Sequence, residues 1–338
     1  MSRSPLISIC IPAYNAGHVI GSCLGSIADQ SFDDYEVVIV DDGSKEPTIY
    51  GSDQFPAFAP HRVRLIRQEN GGTYAARQRA IGEACGRYVF CMDADDTLAH
   101  TDALGHFARG LEKNSYPDVL LTNAIREDGT RCVDYSGLLS GLIEKKDVVG
   151  RFFLDCGWNS MFTMVFKRSL YIPASNRPRL LMAEDRLQKA EIFSKAVSFA
   201  LCDEPLYIYR DVEGSAMNSP FEPVDFYNRA YVGVETLEML DDLGASREAW
   251  AQSFNGYVAT SLFELGMDKR RSRRERVALY PQLRNVDGCD EALVYYSDVA
   301  AWKDRTCLET FRDRRWCLLD TLLMVRRLVS NAKHLFDH

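Results

Sequence analysis

The 338-residue sequence contains no CxxC pair, no HExxH, no internal repeat and no apolar run of bilayer length. Each absence removes a class of protein. The ten cysteines show no metal-ligand spacing and several, Cys10 and Cys91 among them, fall inside apolar runs, the pattern of buried, reduced thiols in a cytoplasmic protein. The six histidines, His18, His61, His100, His106, His334 and His338, form no cluster along the chain. Zinc is therefore not expected, and any metal should be bound by oxygen. No window approaches the ~18 consecutive apolar residues of a membrane-spanning helix. The opening "MSRSPLISICIPAYN" is short for a signal peptide, meets Pro12 and lacks a small-residue cleavage site, so a first β-strand explains it better. A basic excess is missing too. Forty Lys and Arg against 48 Asp and Glu leave a net charge of −8, which excludes a protein whose main partner is nucleic acid. Neither a Walker A pattern nor GxGxxG follows the first strand, which removes P-loop and dinucleotide chemistry.

What remains is an ordinary globular composition, 46% hydrophobic, in a chain long enough for one large domain and a smaller one. Over the first hundred residues the β-branched runs "LISICIP", "YEVVIV", "RVRLIR" and "RYVFCM" alternate with His18–Gln30 and Thr73–Cys85, whose apolar residues recur at helical spacing. That alternation predicts an α/β fold, a mostly parallel sheet flanked by helices, with ligands outside the carboxyl ends of its strands. The four strands run out into Pro12–Asn15, Asp41–Ser44, Gln68–Gly72 and Asp93–Asp96, so four loops converge on one edge. Further on, "DVLLTNAI" and "MFTMVFK" read as strands, "KKDVVGRFFLDC" and "AEDRLQKAEIFSKA" as helices, and "LCDEPLYIYR" as a strand returning to the sheet. Past Pro223 only helical segments appear. The Ser, Asn and two prolines of "SAMNSPFEP" place a boundary near 220, between a domain at 1–220 and an α-helical region at 221–338.

The stretch "CMDADDTLAH" concentrates Asp93, Asp95 and Asp96 behind an apolar strand. Like charge in such a place demands a bound cation, and carboxylates are the hard oxygen ligands that Mg²⁺ and Mn²⁺ prefer. A helix N-cap cluster is the alternative. Tyr14 could stack on a base or simply sit at a rim. Asp42 could accept from a base N–H, or serve the "DDGS" turn with Gly43 at positive φ.

In order and spacing, "ISICIPAYNAG", "SIADQSFDDYEVVIVDDGS", "NGGTYAARQRAI" and "GRYVFCMDADD" resemble the family 2 glycosyltransferases with the GT-A fold, a Rossmann-like sheet. "MAEDRLQKAEIFSKA" and "EPLYIYRDVEGSAM" resemble the same family's acceptor-side half. The resemblance implies that Pro12, Ala13, Tyr14, Asn15, Asp41, Asp42, Asn70, Gly71 and Arg77 hold the nucleotide, with Tyr14 against the base and Asp42 on its polar edge. Gln78 stands where the family has Asn after this arginine. Asp93, Ala94 and Asp95 become the DxD-type motif that links ribose, metal and diphosphate, and Asp95 and Asp96 the ligands of Mn²⁺ or Mg²⁺. Asp185, after Glu184 in "AED", becomes the base that takes the acceptor's proton. Without the resemblance, two acids at a helix start only complement its dipole, for a few tenths to ~1 kcal/mol. Trp158 and Asn159 fall where the family builds its acceptor pocket, and Arg210 in a loop that closes over the donor.

The implied activity is metal-dependent, inverting transfer of a single sugar from a nucleotide-sugar donor, UDP-linked, to a saccharide or polyprenyl-linked saccharide in cell-surface polysaccharide synthesis. The QxxRW of processive synthases is absent. One rival, a nucleotidyltransferase that makes the sugar nucleotide, would want a basic, glycine-rich first loop where "PAYNAG" stands. The other is a non-catalytic binding or scaffold module, against which the carboxylates speak. In the tail "FRDRRWCLLDTLLMVRRLVSNAKHLF", Trp316, Leu319, Leu322, Leu323, Leu328 and Val329 mix with arginines. Such a helix can lie on an anionic membrane, here at its inner face, or pack on its own domain. The run "DKRRSRRER" is expected to be a solvated helix face.

Overall fold

The computed structural model describes residues 4–46, 62–135, 138, 141–154, 159–173, 177–212, 221–299 and 302–336, excluding the side chains of 154, 302–303 and 328–336. The chain divides into two units, Met1–Leu180 with Glu184–Glu213, and Leu181–Ala183 with Gly214–His338. The boundary expected near 220 lies in 213–220, outside the described residues.

The first unit opens with β1 (Ile7–Ala13), α1 (Ile20–Ala28), β2 (Tyr35–Asp41), β3 (Val63–Arg67), α2 (Thr73–Glu83) and β4 (Tyr88–Cys91). Val37, Val38, Ile39 and Val40 of β2 are all fully buried, each burial worth about 1.5–3 kcal/mol. An apolar run without alternation is what a parallel strand covered on both faces requires. Then come β5 (Thr97–Leu98), α3 (Ala103–Lys113), β6 (Val119–Arg126), β7 (Arg131–Val133), β8 (Gly141–Ile143), α4 (Lys145–Leu154), β9 (Met164–Lys167), α5 (Glu184–Lys195) and β10 (Phe199–Tyr209).

Among the described residues these strands form one ten-stranded sheet in the order β3-β2-β1-β4-β9-β6-β10-β5, with β7 on β6 and β8 on β10. Strands β3, β2, β1 and β4 are parallel, so their four loops do share an edge. The sheet is mixed beyond them. β9 runs antiparallel between β4 and β6, pairing Val165 with Phe90 and Met164 with Leu121. The expected strand "MFTMVFK" therefore yields only its second half, and Met161–Thr163 form a 3-10 turn. Because β9 is reversed, that turn lies at the carboxyl end of β4, alongside the middle of β6.

The second unit contains α6 (Pro223–Glu238), α7 (Leu240–Leu243), α8 (Arg247–Met267), α9 (Arg273–Arg284), α10 (Cys289–Ala292), α11 (Trp302–Arg312) and α12 (Trp316–Phe336). Trp250, Phe254, Val258, Leu262 and Leu265 give α8 a buried stripe at helical spacing. Two expectations change here. The run "DKRRSRRER" is not a plain solvated face: Ser272 caps α9 in a capping box with Glu275, and Arg276 is buried, bonded to Asp320 at 2.8 and 3.1 Å. The tail is two helices broken at Arg314, φ 57, and Leu319 and Leu323 of α12 are buried within this unit while Arg326 bonds Asp304 at 2.6 Å. Those leucines are unavailable to a membrane, while the side chains of Leu328 and Val329 lie outside the described set. No helix among the described residues is long and apolar enough to cross a membrane.

The turn after β2 shows how closely the edge loops approach. Gly43 has φ +74, and a Cβ there would stand 2.9 Å from Asn70 N in the next loop. Gly43→Ala combines an unfavourable φ with a backbone clash, for about 1–3 kcal/mol. A clear fall in Tm is expected on thermal unfolding, and an unchanged Tm would contradict the close approach.

Candidate active site

The first three loops are clasped together by Asn15 and two aspartates. Asn15, at φ 51, donates its N–H to Ser44 Oγ at 2.8 Å, and its side-chain oxygen accepts from Lys45 N at 3.0 Å. Asp41 and Asp42 are 2% and 3% exposed. Asp41 accepts from Ser44 N at 2.9 Å and faces Arg67 at 3.5 Å. Asp42 accepts from Gln68 Nε2 at 2.8 Å, Gly71 N at 2.9 Å and Gly72 N at 2.8 Å. The carboxylate expected against a base thus binds the second loop to the third, with about one lone-pair site of four to spare. Neither Arg67 nor Gln68 was singled out in the sequence. Pro12 and Ala13 are buried at the end of β1, whereas Tyr14 is 48% exposed. Asn70 Oδ1 is buried with no donor among the described residues, an acceptor left over for a ligand.

The three aspartates of "DADD" have different surroundings. Asp96 is buried and accepts from Tyr207 Oη at 2.5 Å and Arg210 N at 2.8 Å. Burial, with the charge of Asp93 adding to it, pushes its pKa up to about 8. Both oxygens of Asp96, expected with Asp95 as a metal ligand, accept from the end of β10, and each keeps a further lone pair. Asp93 is half-buried, and burial lifts it to about 6 against the pull of Arg77. The Asp95 side chain is half-buried, and no donor among the described residues reaches its carboxylate; its main-chain oxygen accepts from Arg210 Nη1 at 3.3 Å. Ala94, also buried, separates the two.

Arg77, from α2, joins this loop to α5. It is 1% exposed, and donates from Nη2 to Asp93 Oδ1 at 3.2 Å and from Nη1 to Asp185 Oδ1 at 2.5 Å and Gln188 Oε1 at 2.7 Å. Burial disfavours its charge, but Asp185 and Asp93 more than offset this and hold its pKa well above the ordinary value. Asp185 Oδ2 accepts from Met161 N at 3.0 Å, in the 3-10 turn that β9's reversal brings to this edge. The backbone entering α5 is strained, with Ala183 at φ 63. Glu184 is pushed up to about 7, first by burial and then by Asp185. Asn159 accepts from Arg186 Nη1 at 2.9 Å, which fixes it against α5, while Trp158 lies outside the described residues.

One turn beyond Asp185 is a residue that no motif in the sequence marks. Lys189 is fully buried, donating to Thr163 Oγ1 at 2.7 Å, Ser160 O at 3.1 Å and Tyr135 Oη at 3.1 Å. It thereby holds the turn whose Met161 holds Asp185. In "RLQKAEIF" a lysine reads as surface.

The surplus of carboxylate is the chemical character of the edge. Asp93, Asp96 and Glu184 are all held above their ordinary values, chiefly by burial, and the carboxylate oxygens of Asp95 have no protein donor among the described residues. A hard divalent cation fits such a donor set.

Residues 8–151 match the Glycosyl transferase family 2 profile. These residues belong to family 2 glycosyltransferases. YibD, a glycosyltransferase of Escherichia coli K12, is 37% identical over 101 residues, 30% of this chain and 29% of its own length. EpsJ of Bacillus subtilis is 27% identical over 228 residues, 65% of each. The chain thus spans under two thirds of either relative. GlyG of Streptococcus pneumoniae is 26% identical over 239 residues, 65% of this chain and 75% of its own. The crystal structure of S. aureus TarS 1–349 in complex with UDP-GlcNAc aligns with a TM-score of 0.71 and 21% identity, over 96% of this chain and 92% of that one. The fold is accordingly GT-A with a helical C-terminal region.

The buried lysine gives this site a pH signature. Burial lowers Lys189 to about 7, against about 10.4 in an unfolded chain. Between those values the unfolded state holds the extra proton, so this group's contribution to stability rises with pH by up to about 1.4 kcal/mol per unit and is lost as pH falls towards 7. Urea unfolding of wild type and Lys189→Met at pH 7 and pH 9 isolates it. Wild type should gain more stability over this interval than the variant; equal gains would contradict a buried, proton-shedding lysine.

Proposed function

We propose that this chain is a metal-dependent, inverting glycosyltransferase that moves one sugar from a UDP-linked donor to a hydroxyl of a saccharide, free or polyprenyl-linked. The observation that carries the reading is Asp185, pinned by Arg77 and Met161 N at the start of α5 and sharing its guanidinium with Asp93 of the "DADD" loop. Tyr14 would offer its exposed ring to the base, with Asn70 Oδ1 and the Asp42 clasp in the neighbouring loops. Asp95 would hold Mn²⁺ or Mg²⁺, which when bound offsets the charge developing on the diphosphate. Arg210, bonded to Glu127 at 2.9 Å and to the Asp95 carbonyl, would meet the same phosphates. The acceptor oxygen attacks the anomeric carbon as the bond to the diphosphate breaks, and its proton passes to a remaining lone pair of Asp185. A single displacement of this kind inverts the anomeric centre. The complex of TarS with UDP-GlcNAc supports a UDP-linked donor.

The test is a panel of nucleotide sugars with Mn²⁺, scored by nucleotide release. UDP-sugars should be turned over. Asp185→Asn should lower kcat by about 10²–10⁴-fold with UDP affinity kept, and Asp95→Asn should remove the Mn²⁺ dependence of UDP binding. Loss of UDP binding in Asp185→Asn would refute its role as base. Pyrophosphate from UTP and a sugar 1-phosphate, with UDP-sugars untouched, would replace the proposal with nucleotidyl transfer.

A further inference from the structure

Three side chains that no spacing along the chain brings together meet on the first unit. His100 follows β5, His106 lies in α3, and Glu204 sits where the pairing of β10 with β6 slips between Cys202 and Pro205. An irregularity of this kind re-aims side chains. Here it turns Glu204 towards α3, with Oε2 at 2.5 Å from His106 Nδ1 and Oε1 at 3.5 Å from His100 Nε2. The two rings stand 5.1 Å apart at 78°. One nitrogen of each ring and a carboxylate oxygen all lie within 4.8 Å of one another. His100 Nε2 is buried and makes no hydrogen bond among the described residues.

We propose that His100 Nε2, His106 Nδ1 and Glu204 bind a divalent transition metal of the zinc class, at a site separate from Asp95 and independent of the transfer reaction. Tetrahedral ligands at about 2.0–2.2 Å from an ion are roughly 3.3–3.5 Å apart. The His100 to Glu204 separation is already in that range, and small rotations of half-buried rings set the others. Two imidazoles with one carboxylate suit zinc-class ions, whereas an all-oxygen set suits Mg²⁺ or Mn²⁺. The surroundings of His106 also fit: its Nε2 is 3.7 Å from Asp102 Oδ2, and Asp102 is fixed by Arg109 at 2.6 Å and Ser31 at 2.8 Å. A carboxylate behind a histidine orients the ring and leaves its other nitrogen for the metal. Ligation at His100 Nε2 places the ring proton on Nδ1, at the cost of the long 3.3 Å bond from Asp102 N. The fourth position is left to water. The bound ion would tie α3 to β10 three residues before Tyr207, whose hydroxyl holds Asp96, and so brace the "DADD" loop from outside. The expectation that any metal is oxygen-bound would then hold for Asp95 alone.

The experiment is titration of the chelator-stripped full chain with Zn²⁺ alone, followed by calorimetry and Tm, with Co²⁺ as a spectroscopic probe. The background is Cys85→Ser with Cys317→Ser, because both thiols are exposed. One site per chain is expected, with a raised Tm and a weak visible Co²⁺ spectrum free of thiolate charge transfer. Affinity should fall at least tenfold at pH 5.5, where protons compete for imidazole. His106→Gln and Glu204→Gln should each abolish the site, and Asp95→Asn should keep it. No binding to the folded chain, a Co²⁺–thiolate spectrum, or binding unchanged in both glutamine variants would overturn the proposal.

Discussion

A guanidinium shut away from water has to be matched by charge, and Arg77 is matched twice. Asp93 lies 16 residues away at the end of β4, and Asp185 lies 108 residues away at the start of α5. One cation thus fixes the distance between the loop that would hold the donor and the carboxylate that would serve the acceptor. Removing one member of a buried ionic group typically costs about 3–5 kcal/mol, because the others are left desolvated and unpaired. Anything that draws charge from Asp93, a cation included, alters the field that Arg77 presents to Asp185.

The rest of the edge is arranged around that contact. Asp42 ties the second loop to the third, Arg67 and Asp41 secure the second from beneath, and Asp96 fastens the fourth to β10. The reversed β9 delivers Met161 to Asp185, and Lys189 braces that turn from the far side. Acidic groups outnumber cations at this edge, with three carboxyls held above their ordinary values mainly by burial. That imbalance is the condition in which a divalent ion binds.

Much of this was legible in the sequence because it is local. Uninterrupted apolar runs gave the parallel strands, and each strand's exit gave the loops. Asp93 and Asp95 stand out by their charge behind an apolar strand, Arg77 and Asp185 by resemblance, and the geometry groups Arg77 with Asp93 and Asp185. What could not be read depends on partners distant along the chain. The direction of β9 follows from its neighbours, β4 and β6, and nothing in "MVFK" encodes it. Asp42 and Asp96 stand out as candidate ligand residues in one dimension, and their protein donors, Gln68, Gly71, Gly72 and Tyr207, could not be read there. Lys189 sits in a helix of weak amphipathicity, so no periodicity marks its burial. Arg276 looked solvated until Asp320, 44 residues on, came beside it, and the separations of His100, His106 and Glu204 match no ligand pattern.

The most direct test of the shared guanidinium is a mutant cycle in urea unfolding that combines Arg77→Met with Asp93→Asn and Asp185→Asn. Arg77→Met should destabilise the otherwise native chain by about 3–5 kcal/mol. In the double-asparagine background the same change should cost less, by a coupling on the order of 1–3 kcal/mol. Strict additivity, with Arg77→Met equally costly in both backgrounds, would contradict the account.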